Sequence, residues 1–334
     1  ETAIEGQVSD MGVWPFTLEL EDGRILPHAE EADTFYTSTY WWLPGDGSDP
    51  VAYPLPPKAE IGGVYRDRLL VSLKQAWAPE GEDAAFLSGD LVAFDLPAFL
   101  ETRELPEVEL VFRPDETQAV NYVAVAEGAA LLSLNDNVVG RVLRLDFGGD
   151  GWFTEDIVLP GEGQAGIVFA DRDESTVFLN YEDFLTPDSL LSYDVGSGEV
   201  KALKSLPPKF DASDLAVRQR FATSKDGSRV PYFVVSREDL PDDGSTPTLL
   251  YGYGGFEISM RPGYRGTTGR LWLERGGAYV LANIRGGGEF GPEWHQAGLK
   301  TNRQRIYDDF IAVAEALVDE GVTSPRRLGI MGGS

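Results

Sequence analysis

The sequence contains no cysteine. Disulfides, zinc-thiolate centres and a cysteine nucleophile are thereby excluded. Histidine is almost as scarce: His28 and His295 are the only two in 334 residues. Basic residues are few, 28 against 55 acidic, giving a formal net charge of −27. Nucleic-acid backbones demand clustered Lys and Arg, so no nucleic-acid partner is expected. The acidic residues are dispersed rather than gathered in a tail, and read as a solvated surface. No stretch approaches the ~18 apolar residues of a membrane span, so no membrane partner is expected. The chain opens at Glu1 with neither an initiator Met nor a signal-peptide pattern. Both ends look cut, so an internal piece of a longer protein is expected, and the compartment is left open.

What is present is ordinary globular composition, 42% hydrophobic and 25% charged, with length enough for two domains. Residues 1 to 206 carry short β-type runs broken by Gly, Asp, Pro and Asn. Three pairs of runs resemble one another. Leu69–Leu73 is followed by Leu91–Leu96, Leu131–Leu134 by Arg141–Asp146, and Val177–Asn180 by Leu190–Val195. Each pair closes near an aspartate, Asp95, Asp146 or Asp194. Their spacing of roughly 50 residues suits four-stranded propeller blades. About four blades fit, one of them poorly defined, so a partial β-propeller is expected over 1–206. A β-sandwich with similar hairpins is the competing reading. Pro207-Pro208 cannot join a sheet ladder and marks the expected boundary.

Beyond it the pattern changes. Strands are expected at 215–224 and 230–236 around the Lys225-Asp226-Gly227-Ser228 turn. Two short buried strands, 248–251 and 278–283, each run into a glycine-rich loop. Apolar residues at three- and four-residue spacing predict a helix over 303–320, with Gly321 as its cap. A last strand, 328–331, runs into Gly332-Gly333-Ser334. This is α/β grammar with a parallel sheet, whose site lies at the carboxyl ends of the strands. Residues 207–334 therefore read as the first part of an α/β-hydrolase domain, ending at a nucleophile elbow.

Gly286-Gly287-Gly288-Glu289-Phe290-Gly291 matches G-x-G-x-x-G, with Asp308 and Asp309 behind it. A dinucleotide site needs the last glycine to open a helix at once, and Pro292 with a polar stretch is expected to delay that helix by about a dozen residues. No cofactor is expected. Asp171-Arg172-Asp173-Glu174 lacks the register of a calcium loop and reads as an acidic turn, so no metal is expected. A serine nucleophile needs a general base, but the hydrolase order runs Ser, then Asp or Glu, then His. His295 precedes Ser334 and reads as structural. Tyr253 follows a strand among glycines that leave its hydroxyl unobstructed, as an oxyanion donor or as a ring packed at a strand end.

With these motifs in order, residues 210 to 334 resemble the prolyl oligopeptidase family of serine peptidases. The matching stretches are Ser224–Gly227, Leu250–Phe256, Ala282–Gly291, Trp294-His295, Tyr307–Phe310, Thr323–Leu328 and Gly332–Ser334. The family also places a β-propeller ahead of this region. The resemblance implies that Ser334 is the acylating nucleophile, that Tyr253 donates to the oxyanion and that Phe256 lines the apolar S1 pocket. It puts the triad Asp and His beyond residue 334, so the 334 residues alone are expected to be inactive. Substrates are expected to be short peptides, the propeller excluding folded proteins, and the molecule a monomer. Gly-Gly-Phe after Tyr253 favours cleavage after proline over cleavage after basic residues. The stretch from Lys74-Gln75-Ala76-Trp77 to Ser88-Gly89-Asp90 departs from the best-known prolyl-specific members. A propeller scaffold with a degenerate hydrolase domain, and an esterase on the same elbow, are the alternatives.

Overall fold

A computed structural model describes residues 4, 6, 10–79, 86–149 and 151–333. In the first 206 residues, short strands separated by tight turns pair with their sequence neighbours. This gives four four-stranded sheets, each an antiparallel meander. The first sheet holds β1 (Gly12–Glu19), β2 (Ile25–Thr34), β3 (Thr37–Trp42) and β4 (Val51–Ala52). The second holds β5 (Ala59–Tyr65), β6 (Arg68–Leu73), β7 (Leu91–Asp95) and β8 (Glu109–Phe112), with helix α1 (Leu96–Thr102) before β8. The third holds β9 (Gln118–Ala126), β10 (Ala129–Asp136), β11 (Val139–Gly148) and β12 (Gly151–Asp156). The fourth holds β13 (Gln164–Phe169), β14 (Thr176–Glu182), β15 (Ser189–Asp194) and β16 (Val200–Ser205). These are four propeller blades.

The blades stack face to face, which explains why their middle strands are apolar on both faces. Leu69 and Val71 of β6 pack toward the first blade with Leu20 and Tyr53. Leu70, between them, packs the other way with Leu132 and Leu143 of the third. Leu131 and Val142 then meet Val177 and Leu191 of the fourth. Each such leucine, fully buried, contributes about 2 kcal/mol.

The repeating aspartates close the third strands. Asp95 Oδ1 accepts from the Ala98 amide at 2.8 Å and caps α1. Asp146 Oδ1 accepts from the Tyr65 hydroxyl and the Phe147 amide, both at 2.8 Å. Asp194 Oδ1 accepts from Ser197, amide at 2.7 Å and hydroxyl at 2.6 Å. In the first blade β3 runs instead into Leu43-Pro44, so its repeat is faint in the sequence. Asp171–Glu174 is a turn between β13 and β14, and its Arg172 reaches the first blade. Arg172 donates to the carbonyls of Glu19 at 2.5 Å and Leu20 at 3.1 Å.

Sheet membership changes between Ser205 and Leu215. The next strands form one five-stranded sheet of order β17-β18-β20-β19-β21. They are β17 (Leu215–Thr223), β18 (Arg229–Arg237), β19 (Thr248–Gly252), β20 (Ala278–Ala282) and β21 (Leu328–Gly332). The expectation of a parallel sheet needs correcting. Only β20, β19 and β21 run parallel. The Lys225–Gly227 turn forces β17 and β18 antiparallel, and β18 joins β20 antiparallel. Helix α4 (Gln304–Asp319) covers one face, burying Val313 and Leu317 against Val234, Leu250 and Val280. Gly321 follows it with φ +72°, the left-handed stop that glycine allows. On the other face Phe233, Tyr279 and Leu281 pack with Phe184, a residue of the fourth blade. Two short helices, α2 (Gly266–Leu271) and α3 (Gly291–Gln296), lie in the loops. No helix among the described residues is long and apolar enough to cross a membrane.

Candidate active site

Because β19, β20 and β21 are parallel, the loops that leave them share one edge of the sheet. Two of these loops touch through their backbones. A Cβ at Gly286, where φ is +92°, would lie 2.4 Å from the Gly254 carbonyl oxygen. The third loop closes on the first: a Cβ at Gly333 would lie 2.6 Å from Cδ2 of Tyr253. The Tyr253 ring therefore rests on the residue immediately before Ser334. Ser334 itself lies outside the described residues.

Phe256 stands three residues after Tyr253 in the same loop. It and Glu257 both hold left-handed backbone, φ +55° and +58°, which is costly for non-glycine residues. Its ring is exposed and meets Phe35 of the β2–β3 turn edge-on, with centroids 6.0 Å apart. Tyr36, next to Phe35, lies against His295 at 5.6 Å. The Tyr36 hydroxyl is pushed above its ordinary range by burial and then by Glu257 and Tyr253. The first blade thus lies over the Tyr253 loop.

The loops are anchored by a charge network. Arg285 and Asp309 are both buried. Asp309 accepts from Arg285 at 2.5 Å and 2.8 Å, from the Arg285 amide at 3.1 Å and from the Ser224 hydroxyl at 2.6 Å. Arg285 also donates to Asp226 at 2.6 Å, holding that carboxyl well below the usual range. The network joins the β17–β18 turn, the β20 loop and α4. Asp309, a candidate ribose ligand by position, is thus engaged within the protein, and Asp308 accepts from Gln304 at 3.0 Å.

The glycine loop departs from expectation in one respect. Gly291 opens α3 at once, with Pro292 in its first turn, rather than a dozen residues before the next helix. Proline suits that position, having no amide to leave unpaired. The match to a nucleotide loop still fails on space. A Cβ at Gly288 would lie 2.2 Å from the Glu257 carbonyl oxygen, so the close backbone approach serves another loop rather than a phosphate.

His295 is on α3 and almost fully buried, with Nδ1 2.7 Å from the Gly286 carbonyl. Neither ring nitrogen meets a carboxylate among the described residues. His28 lies in the first blade's core, its nitrogens 2.8 Å from the Leu26 carbonyl and 2.8 Å from the Tyr53 hydroxyl. Burial pushes its pKa down to about 4. Both histidines are held structurally.

Sequence reasoning missed two features. Asp309 shares a helix stripe with Ile306, Val313 and Leu317, and a carboxylate on a buried stripe signals a buried cation. Glu289 is the other. It is buried, and its Oε1 accepts from the Met260 backbone amide at 2.9 Å and from Asn283 Nδ2 at 3.4 Å. Burial raises its pKa to about 7. Nothing in its glycine-rich neighbourhood marks it as buried.

A propeller laid over an α/β sheet, with three glycine loops meeting beside Gly333, has the architecture of a propeller-capped α/β hydrolase. The comparisons name the family. The model "Prolyl oligopeptidase family" matches residues 264–334, and "Prolyl oligopeptidase, N-terminal beta-propeller domain" matches residues 84–206. The chain belongs to the prolyl oligopeptidase family. It is 42% identical over 334 residues to the "Uncharacterized peptidase y4nA" of Sinorhizobium fredii, covering 99% of this chain and 46% of that protein. It is 35% identical over 184 residues to the prolyl endopeptidase of Elizabethkingia miricola, covering 55% of this chain and 26% of that one. The structure of a post-proline cleaving enzyme from Rickettsia typhi superposes with a TM-score of 0.87 at 28% identity, over 98% of this chain and 48% of that one. The chain therefore spans less than half the length of each of these relatives.

Proposed function

We propose that this chain is the propeller cap and nucleophile-bearing part of a serine endopeptidase that cleaves short peptides on the carboxyl side of proline. We read residues 1–206 as the propeller domain and 207–334 as the start of the peptidase domain. The observation that carries the reading is the Tyr253 ring packed on Gly333. It packs the Tyr253 ring on the neighbour of the residue expected to attack, which supports the reading.

In this scheme Ser334 Oγ bonds to the scissile carbonyl carbon and gives its proton to a histidine supplied elsewhere in the protein. The carbonyl oxygen becomes an oxyanion, and the Tyr253 hydroxyl donates to it. Collapse of the intermediate breaks the C–N bond, and the leaving amine takes the proton. Water then releases the acyl group by the same steps in reverse roles. Phe256 supplies apolar surface for the proline ring. The relatives named as prolyl endopeptidase and post-proline cleaving enzyme support the choice of substrate. The propeller limits access to short peptides, and the enzyme acts as a monomer.

Fluorophosphonate labelling of the full-length protein, followed by peptide mapping, tests the nucleophile; label absent from Ser334 sinks the assignment. Tyr253→Phe is expected to lower kcat on a proline reporter by about 10²–10³-fold, the usual cost of one oxyanion donor, with KM little changed. Ester turnover without proline-peptide turnover would identify an esterase instead.

A further inference from the structure

The phenol of Tyr253 is aimed by its main chain. Its chain neighbours are Gly252 and Gly254, and its ring lies against Gly333. None of the three has a side chain with which to steer it. The main chain at Gly254 rests in turn on the β20 loop. A Cβ at Gly254 would lie 2.8 Å from the Arg285 carbonyl oxygen, and one at Gly286 would lie 2.4 Å from the Gly254 carbonyl oxygen. The backbone of Arg285 and Gly286 is therefore the surface that supports Gly254.

Asp309 grips that surface in two ways at once. Its Oδ2 accepts from the Arg285 backbone amide at 3.1 Å and from Arg285 Nε at 2.8 Å. Its Oδ1 accepts from Arg285 Nη2 at 2.5 Å and from the Ser224 hydroxyl at 2.6 Å. One carboxylate thus clamps both the main chain and the guanidinium of the same residue, through charge-assisted bonds. Asp309 is 0% exposed, so water does not compete for these bonds. Asp226 differs. It takes the outer end of the guanidinium at 2.6 Å, but the amide it accepts from belongs to Ser228 of its own turn. One turn before Asp309 on α4, Ile306 comes up beneath the same glycine: a Cβ at Gly254 would lie 2.8 Å from Ile306 Cγ2. The helix supports Gly254 directly through Ile306 and, through Arg285, by way of Asp309.

We propose that Asp309 is a positioning residue for peptide hydrolysis: it fixes the Arg285 main chain on which Gly254 rests, and so sets the direction of the Tyr253 hydroxyl toward the oxyanion. The proposal rests on the reading of Tyr253 as the oxyanion donor.

The test is a double-mutant cycle in the full-length protein, read on a proline reporter. It uses Asp309→Asn, Tyr253→Phe and the pair, at a temperature where circular dichroism shows each variant folded. Asp309→Asn should lower kcat by about tenfold or more with KM little changed, because a misdirected donor forfeits much of its effect on the transition state. In the Tyr253→Phe background the same substitution should change kcat by less than about twofold. A role confined to holding the fold together gives losses that multiply instead. Multiplying losses, or an unchanged kcat in Asp309→Asn, overturn the positioning role and leave the oxyanion reading standing. Should Asp309→Asn fail to fold, Ser224→Ala carries the cycle in its place. It removes one hydrogen bond to Asp309 and keeps the ion pair, so kcat should fall by about threefold, and that loss should vanish when Tyr253 is Phe. Tyr253→Phe with the parent's kcat overturns the oxyanion reading itself, and this proposal with it.

Discussion

Glu289 shows how much one side chain can hide from a sequence. It sits between three glycines and a phenylalanine, in a loop that reads as exposed. The fold buries it, because Gly286 and Gly288 let the loop after β19 pack closely on its own loop. Its pKa rises to about 7 from an ordinary 4.5. The folded protein thus holds a proton that the unfolded chain releases above pH 4.5. Stability must fall as pH rises from about 4.5 to about 7 and level off beyond, by roughly 3 kcal/mol if Glu289 acted alone. Glu289→Gln should remove this slope. The check is the difference in melting temperature between variant and parent, which should widen in the variant's favour from pH 4.5 to 7.5; a constant difference would refute it. Asp309 was legible in principle, lying on an apolar helix stripe. Its partner Arg285 was not, since nothing in a sequence says which cation reaches a buried carboxylate.

At the scale of elements, periodicity served well where elements are long. Helix α4, the β17–β18 hairpin and the middle strands of three blades follow their residue patterns closely. The signal failed in two places. Six-residue α3 is too short to show a helical period. The direction of β18 against β20 is a tertiary pairing that no local pattern encodes. The glycine loops between these elements are demanding. Gly286 has positive φ and faces a carbonyl oxygen in the neighbouring loop. Gly286→Ala should therefore cost roughly 2–4 kcal/mol in denaturant unfolding. An unchanged denaturation midpoint would mean that the loops do not need their close approach.

Across the whole molecule, propeller and hydrolase sheet share one packed region. Phe184 of the fourth blade lies 5.5 Å from Phe233 and 6.3 Å from Tyr279. Gln219 Nε2 donates to the Asn137 carbonyl at 2.8 Å, and the Glu182 carboxylate accepts from the Tyr264 backbone amide at 2.8 Å. The composition change at Pro207-Pro208 was readable in the sequence. This interlocking was not, because each contact joins residues far apart along the chain. Arg172 acts at the same scale, holding the first and fourth blades together. Arg172→Met should speed amide hydrogen exchange at residues 18–26 relative to the third blade. Unchanged protection there would show that stacking alone holds the first blade.

That arginine has a consequence for how the propeller tolerates change. Its two hydrogen-bond acceptors in the first blade are backbone carbonyls, which every residue type possesses, and the Glu19 carboxylate adds a long ion pair at 4.0 Å. Substitutions at Glu19 or Leu20 leave those two acceptors in place, whereas any replacement of Arg172 removes both donors. The burden of keeping the first and fourth blades registered therefore falls on one side of the contact. This contact therefore asks for one side chain, Arg172, in the fourth blade, while Leu20 is held in the first by its place in the core.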